Sequence, residues 1–324
     1  MATCILSPMN KQNERILVTG ASGQIGTELM LVLTERYGEG NVFAMDVQEP
    51  AKVCGVFQNT DCTNKYLVEK AVKDNGITQI YHLACILSAA GEKIPYKTWE
   101  VNMQTLKNVL EIAKDHNIRM FWPSSIAVFG PSTPKNDTPQ DTVMTPTTMY
   151  GITKSAGELL CNYYHEKFDV DVRSIRYPGL ISWKQEPGGG TTDYAVDIFY
   201  QGLQTGKYES FVSEDTTLPM MYMDDAIKAT LAIMDADADK IAVRTSYNLA
   251  AISFSTAELA AEVKKHIPEL EVSYKPDKRQ LIADSWPRII DDSVARTDWG
   301  WEHEYDLPRM TEEMITHLKT KLGV

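Results

Sequence analysis

The chain has 324 residues, 43% of them hydrophobic, with a formal net charge of −12 at pH 7. That is enough apolar material for a substantial core, in one large α/β unit or two unequal lobes. The acidic balance disfavours nucleic acid as a partner, because phosphate binding draws on clustered Lys and Arg, and no run approaches the ~18 apolar residues of a membrane span.

From Arg15 onward short apolar runs alternate with longer amphipathic stretches, the βαβ rhythm of a parallel sheet. Arg15 to Thr19 reads as strand, Gln24 to Tyr37 as helix, Asn41 to Asp46 as strand, Lys65 to Asn75 as helix and Gln79 to Leu83 as strand. Tyr96 to His116 reads as a long helix, Arg119 to Pro123 as strand, Tyr150 to Phe168 as helix and Val170 to Arg176 as strand. Parallel strands need both faces covered, so helices are expected on both sides of the sheet. After Tyr177 the rhythm loosens into Pro, Gly and Thr, notably Glu186 to Asp193, and Met221 to Met234 reads as a strand and helix able to rejoin the sheet. The expected fold is therefore a doubly wound α/β sheet of Rossmann type over residues 1–179 and 220–240. A smaller, discontinuous substrate-binding lobe is expected over 180–219 and 241–324.

Cys4, Cys54, Cys62, Cys85 and Cys161 are odd in number and contain no C-x-x-C pair. Reduced, mostly buried thiols are expected, with neither a disulfide framework nor a metal site. The N-terminus lacks the apolar run of a secretory signal, and its first fifteen residues have at most a weak transit-peptide composition.

Gly20, Gly23 and Gly26 form a G-x-x-G-x-x-G run at the first strand-to-helix junction. By analogy with the dinucleotide fingerprint, one glycine permits the tight turn, one admits backbone N–H groups to a pyrophosphate, and one lets helix and strand pack closely. The positive end of the helix that starts near Gln24 faces the phosphates. Asp46 ends the second strand twenty residues after Gly26, where a carboxylate accepts from both ribose hydroxyls and repels a 2'-phosphate, which favours NAD over NADP. Asp61 can reach the adenine or serve as an exposed turn residue.

Tyr150 and Lys154 stand one helical turn apart on one face. Tyr66/Lys70, Tyr163/Lys167 and Tyr274/Lys278 share that spacing, but only Tyr150 follows a strand ending in adjacent hydroxyls, Ser124 and Ser125. Tyr163 lies ~20 Å further along the same helix and cannot share the site. A phenol has a pKa of about 10, and an ammonium ~4 Å away contributes about 4 kcal/mol at an effective dielectric near 20, roughly three pKa units. Tyr150 is thus expected as base, with Ser125 bonding the substrate oxygen.

Together the glycine run, His82-Leu-Ala84, Asn102, Ser125 to Gly130, Tyr150-x-x-x-Lys154 and Arg176-Tyr-Pro-Gly179 resemble the extended short-chain dehydrogenase/reductase superfamily. Leu218 to Asp225, Ile282 to Pro287, Ile290 to Ser293 and Asp298 to Trp301 are similar to its L-threonine 3-dehydrogenase branch. The resemblance implies Ser125, Tyr150 and Lys154 as catalytic residues. It implies Gly20, Gly23, Gln24, Ile25, Gly26, Asp46, Asp61, Leu83, Ala84, Asn102, Tyr150, Lys154 and Tyr177 as the NAD-binding set. Ser88, Ser125, Tyr150, Thr192 and Trp286 are implied for the substrate, L-threonine, with Thr191 nearly as good as Thr192 and a core indole the alternative for Trp286. A homodimer through the Tyr96 to His116 and Tyr150 to Phe168 helices and, as in eukaryotic relatives, a mitochondrial location (otherwise cytoplasmic) are further implications. Sugar-nucleotide epimerases and dehydratases are the competing reading. They usually carry an Arg-Asp pair where Leu218 and Pro219 stand. A non-catalytic NAD sensor would have lost a catalytic residue, and here all three are present.

Overall fold

A computed structural model describes residues 14–50 and 52–324. Its strands are β1 (Ile16–Thr19), β2 (Val42–Asp46), β3 (Val56–Asn59), β4 (Gln79–His82), β5 (Arg119–Ser125), β6 (Val172–Tyr177), β7 (Gly179–Ile181), β8 (Lys207–Ser210), β9 (Thr217–Tyr222), β10 (Tyr247–Asn248), β11 (Ile252–Ser255) and β12 (Glu271–Tyr274). The helices are α1 (Gln24–Tyr37), α2 (Lys65–Asn75), α3 (Ser88–Gly91), α4 (Pro95–His116), α5 (Met149–Phe168), α6 (Tyr194–Thr205), α7 (Met223–Asp235), α8 (Thr256–Lys264), α9 (Arg279–Ser285), α10 (Ser293–Trp299) and α11 (Leu307–Leu322). No helix among the described residues is long and apolar enough to cross a membrane.

Seven strands form one parallel sheet in the order β10-β6-β5-β4-β1-β2-β3. β1 and β4 are buried along their whole length, as expected where helices cover both faces. Alternate side chains divide between the two sides. Leu17, Met45, Ile80, Met120 and Val172 pack with α2, α4 and α5 on one face. Ile16, Val18, Ala44, Phe121 and Ile175 pack with α1 and α7 on the other. Each fully buried Leu or Ile contributes about 1.5–3 kcal/mol. The order in which the chain adds strands reverses at β1, running to β2 and β3 on one side and to β4, β5 and β6 on the other, and in such sheets the crevice beyond the strand C-termini at that point receives the ligand.

The segment Met221 to Met234 behaves differently from its expected role. Its helix, α7, packs on the central sheet beside α1, but its strand, β9, lies in a separate three-stranded sheet between β7 and β11. The strand that returns to the central sheet is β10, two residues long and within the stretch expected to belong to the smaller lobe. The sequence could not show this, because two residues carry no periodicity. A third core, built from α6, α8, α11, β8 and β9 with Tyr194, Phe199, Leu218, Leu259 and Met314, lies beside the sheet.

Candidate active site

A cavity of about 670 Å³ opens along the C-terminal ends of β1 to β6. At one end stands the glycine turn. Gly20 has φ +71°, and a Cβ there would lie 2.6 Å from the Ala84 nitrogen, so only glycine lets the first turn pass under the strand-4 loop. A Cβ on Gly26 would collide with the Gly20 carbonyl and Ala21. Its job is therefore to close helix onto turn, a tighter contact than the helix-on-strand packing expected. Gly23 is exposed and caps α1 with no side-chain hydrogen bond, which leaves the first amides of the helix, at Gln24 and Ile25, directed at the cavity they line.

Asp46 also lines this end, with each carboxylate oxygen accepting one backbone N–H, Oδ2 from Ser22 and Oδ1 from Gln48, both at 3.0 Å. Each oxygen keeps lone-pair capacity for a further donor. Asp61 sits in an exposed turn, where its Oδ1 accepts from Thr63 N at 2.8 Å, and lines the cavity as well. Leu83, Ala84 and Tyr177 form the adjoining wall. The Tyr177 hydroxyl is turned away to Thr230 on α7.

Asn102 departs from its expected role. It does not line the cavity. Its side chain accepts from Ile86 N at 2.7 Å and donates to Ile86 O at 3.1 Å and to Thr153 Oγ1 at 3.2 Å. Both amide N–H groups and the oxygen are engaged inside the protein, tying the loop that carries Ser88 to the helix that carries Tyr150.

That helix, α5, begins at Thr148, whose Oγ1 accepts from Gly151 N. A Cβ on Gly151 would collide with the Ala127 carbonyl, so glycine after Tyr150 is what lets the helix start press against the turn that follows β5. Ser125 and Tyr150 are thereby brought together. Burial pushes the Tyr150 phenol well above its ordinary pKa, the Cys85 thiol adds to the rise, and a hydrogen bond from Ser125 opposes it. Lys154 is buried and held low by that burial. Its Nζ donates to Pro123 O at 2.5 Å and lies 4.5 Å over the Trp122 ring but 5.5 Å from the centre of the Tyr150 ring. The Pro123 carbonyl and the indole face hold the ammonium, which also lies over the Tyr150 ring. Below it, Ser124 donates to Glu158, which forms a buried ion pair with Arg176 and locks α5 to β5 and β6.

Beyond Tyr150 the cavity is walled by Ser88, by both Thr191 and Thr192, and by Trp286. Trp286 is also part of the small-lobe core, so the two readings of that indole coincide. Gly189, at φ +90°, and the Gly190 N–H bond to Asp193 shape a turn in the 185–193 loop. Cys85 lines the cavity beside Tyr150 and was not singled out in sequence, because a lone cysteine after a strand has no pattern to mark it. Tyr66 and Tyr163, with the same spacing to lysine, are largely exposed and line no part of the cavity.

The family model described as the NAD dependent epimerase/dehydratase family matches residues 16–250. The chain belongs to this family. It is 50% identical over 313 residues to an uncharacterised epimerase/dehydratase of Staphylococcus haemolyticus, covering 95% of this chain and 98% of the relative. Among solved structures it resembles a GalE-like L-threonine dehydrogenase from Cupriavidus necator in its holo form, with 52% identity, 94% of this chain and 100% of that one covered, and a TM-score of 0.92. An L-threonine dehydrogenase from Phytophthora infestans gives 48% identity, 95% and 100% coverage, and a TM-score of 0.93. The family member described here is an oxidoreductase that uses NAD. The glycine cradle, the α1 amides and Asp46 fit that cofactor, with phosphates at the helix start and ribose at the carboxylate. The mitochondrial expectation rested on eukaryotic relatives; of the first fifteen residues, only Glu14 and Arg15 are described. Bacterial relatives share the fold and have no such compartment.

Proposed function

We propose that this enzyme oxidises the side-chain alcohol of L-threonine to 2-amino-3-ketobutyrate. The observation that carries the reading is the meeting of Ser125 and Tyr150 midway between the cofactor cradle and a small polar wall made by Ser88, Thr191 and Thr192. Such a wall suits the amino and carboxylate groups of a small amino acid, with Trp286 against its methyl. Leu218, where epimerases usually place an arginine for the diphosphate, is fully buried in the small-lobe core and offers a nucleotide nothing. The L-threonine dehydrogenases named above, about half identical over nearly the whole chain, support the same substrate.

Bound NAD supplies the hydride acceptor and, with it, a positive ring that favours the phenolate. Tyr150 takes the hydroxyl proton as the C–H hydrogen leaves with its electron pair, and Ser125 holds the oxygen while it passes from alcohol to carbonyl. Lys154, already over the Tyr150 ring, has the charge to stabilise the phenolate. Because Tyr150 starts with a raised pKa, kcat/KM rises with pH across the neutral range and levels off only once the phenol titrates.

NADH absorbance on adding L-threonine, against L-serine, D-threonine and UDP-sugars, tests the substrate. Threonine-selective turnover that Tyr150→Phe cuts by about 10²–10⁴-fold is expected. Interconversion of a UDP-sugar with threonine inert would overturn it.

A homodimer through α4 and α5 is proposed on a second observation. Tyr96 is 85% exposed and Leu159 62%, and Trp99, Tyr163 and Phe168 on the same two helices are also open to solvent. Unpartnered apolar side chains on adjacent helices favour a second copy. Light scattering of wild type and Leu159→Lys tests this, with a monomeric wild type counting against it.

A further inference from the structure

A second cleft, of about 330 Å³, shares Trp286 as a lining residue with the first cavity. Two cations open into it. Lys135 Nζ donates only to carbonyls, Ser285 O at 2.6 Å and Gly130 O at 3.4 Å. The Arg288 guanidinium has no hydrogen-bond or ion-pair partner among the described residues. Burial and the Arg288 charge lower the Lys135 pKa, with the Asp284 carboxylate opposing them. Two carboxylates border the same cleft, each bonded to a neutral neighbour there: Asp215 accepts from Ser213 Oγ and Asp284 from Gln280 Nε2, each at 2.7 Å. Two cations facing one polar cleft, neither in an ion pair with a carboxylate among the described residues, offer charge-assisted donors to an anion.

We propose that this cleft binds a small phosphate-type oxyanion between Lys135 and Arg288, and that its occupation is felt at Trp286. A guanidinium fork and an ammonium suit a tetrahedral anion with several acceptor oxygens, and the Ser213 and Thr217 hydroxyls line the same space. The coupling follows from the backbone. Lys135 holds the turn around Trp286 from both sides, its ammonium on Ser285 O and its carbonyl accepting from Arg288 N at 2.7 Å and Ile289 N at 3.1 Å. An anion bridging Lys135 and Arg288 closes that ring and stiffens the substrate wall.

The experiment titrates inorganic phosphate into the NAD-saturated enzyme, whose own phosphate cradle is then filled, with chloride holding ionic strength constant. Calorimetry and tryptophan fluorescence are the readouts. Saturable binding is expected, weakened about tenfold or more in Arg288→Ala through loss of a charge-assisted bond and unchanged in Arg309→Ala, which lies outside the cleft. The kinetic arm rests on the threonine reading: phosphate lowers KM for L-threonine in wild type and not in Arg288→Ala. No saturable binding, or binding that Arg288→Ala leaves intact, would overturn the site. An enzyme inert toward threonine that still binds phosphate through Arg288 would count against the substrate alone.

Discussion

At the cofactor end of the cavity the backbone is itself the binding surface. Gly20, Gly23 and Gly26 shape it, and the sheet beneath holds it. At the substrate end the wall is made of short or irregular segments, residues 85–91, 185–193 and 285–287, each held within or at its flank by a side chain reaching from elsewhere, as Lys135 holds Ser285 O. Asn102 pins Ile86. Glu28 on α1 takes Lys184 and Ser182. Lys321 on α11 donates to Trp183 O at 3.2 Å, Lys184 O at 3.0 Å and Tyr200 Oη at 2.9 Å. A surface made of backbone has little tolerance for added atoms. A wall held by clamps can be loosened one clamp at a time.

The strongest test of that contrast is Gly26→Ala. The added methyl meets the Gly20 carbonyl, and a backbone shift costing ~1–3 kcal/mol weakens NAD binding about 10–100-fold. Calorimetry with NAD reads it, and an unchanged Kd would show that the turn is not the cradle. Asn102→Ala leaves the Ile86 amide and carbonyl unpaired, at a cost of ~1–3 kcal/mol each if they stay buried. KM for threonine is expected to rise about tenfold while the NAD Kd stays within about twofold; equal losses in both would make Asn102 a cofactor residue after all.

His82, at the junction of the two ends, gives a pH test of intermediate size. Its Nδ1 meets Thr19 Oγ1 at 2.7 Å, and its Nε2 is buried with no partner among the described residues. Burial, reinforced by the Lys154 charge, pushes its pKa down to about 3. The folded-state value lies below the unfolded one, so the unfolded chain binds the extra proton as pH falls. The stabilisation is fully present above pH ~6.5 and is lost progressively toward pH 3, roughly 2 kcal/mol by pH 5. Denaturant melts at pH 7 and pH 5 should show this drop in wild type and a smaller one in His82→Asn. The mildest effect belongs to Lys321→Met. Its bonds are exposed and worth ~0.5–1.5 kcal/mol in net terms, so a two- to threefold rise in KM for threonine with kcat and NAD affinity unchanged is expected, and Lys321→Arg should restore it.

The same contrast explains what could be read in the sequence. The ends of α1 and α2 fall where the apolar period and caps put them, because Gly23, Asn64 and Gly76 act locally. The glycine turn and the Tyr150/Lys154 pair were legible for the same reason. The role of Asn102 was not, since a buried amide that holds a loop and one that holds a ligand look alike in sequence. Nor could spacing show that Lys154 bonds Pro123 O over Trp122, because that partner comes from another strand 31 positions away. The route of β9 into its own sheet depends on pairing with β7 and β11, which no local pattern encodes.

The two-residue strand β10 has a consequence for synthesis. It completes the sheet against β6, and Ser174 and Ser246, 72 positions apart, share a hydroxyl hydrogen bond at that seam. A nascent chain emerging from the ribosome therefore presents the unpaired edge of β6 until some seventy more residues have been made. Unpaired strand edges are where partly folded chains associate wrongly. The small lobe, most of which is translated in or after that interval, is thus also the part of the chain whose arrival ends the period of greatest exposure.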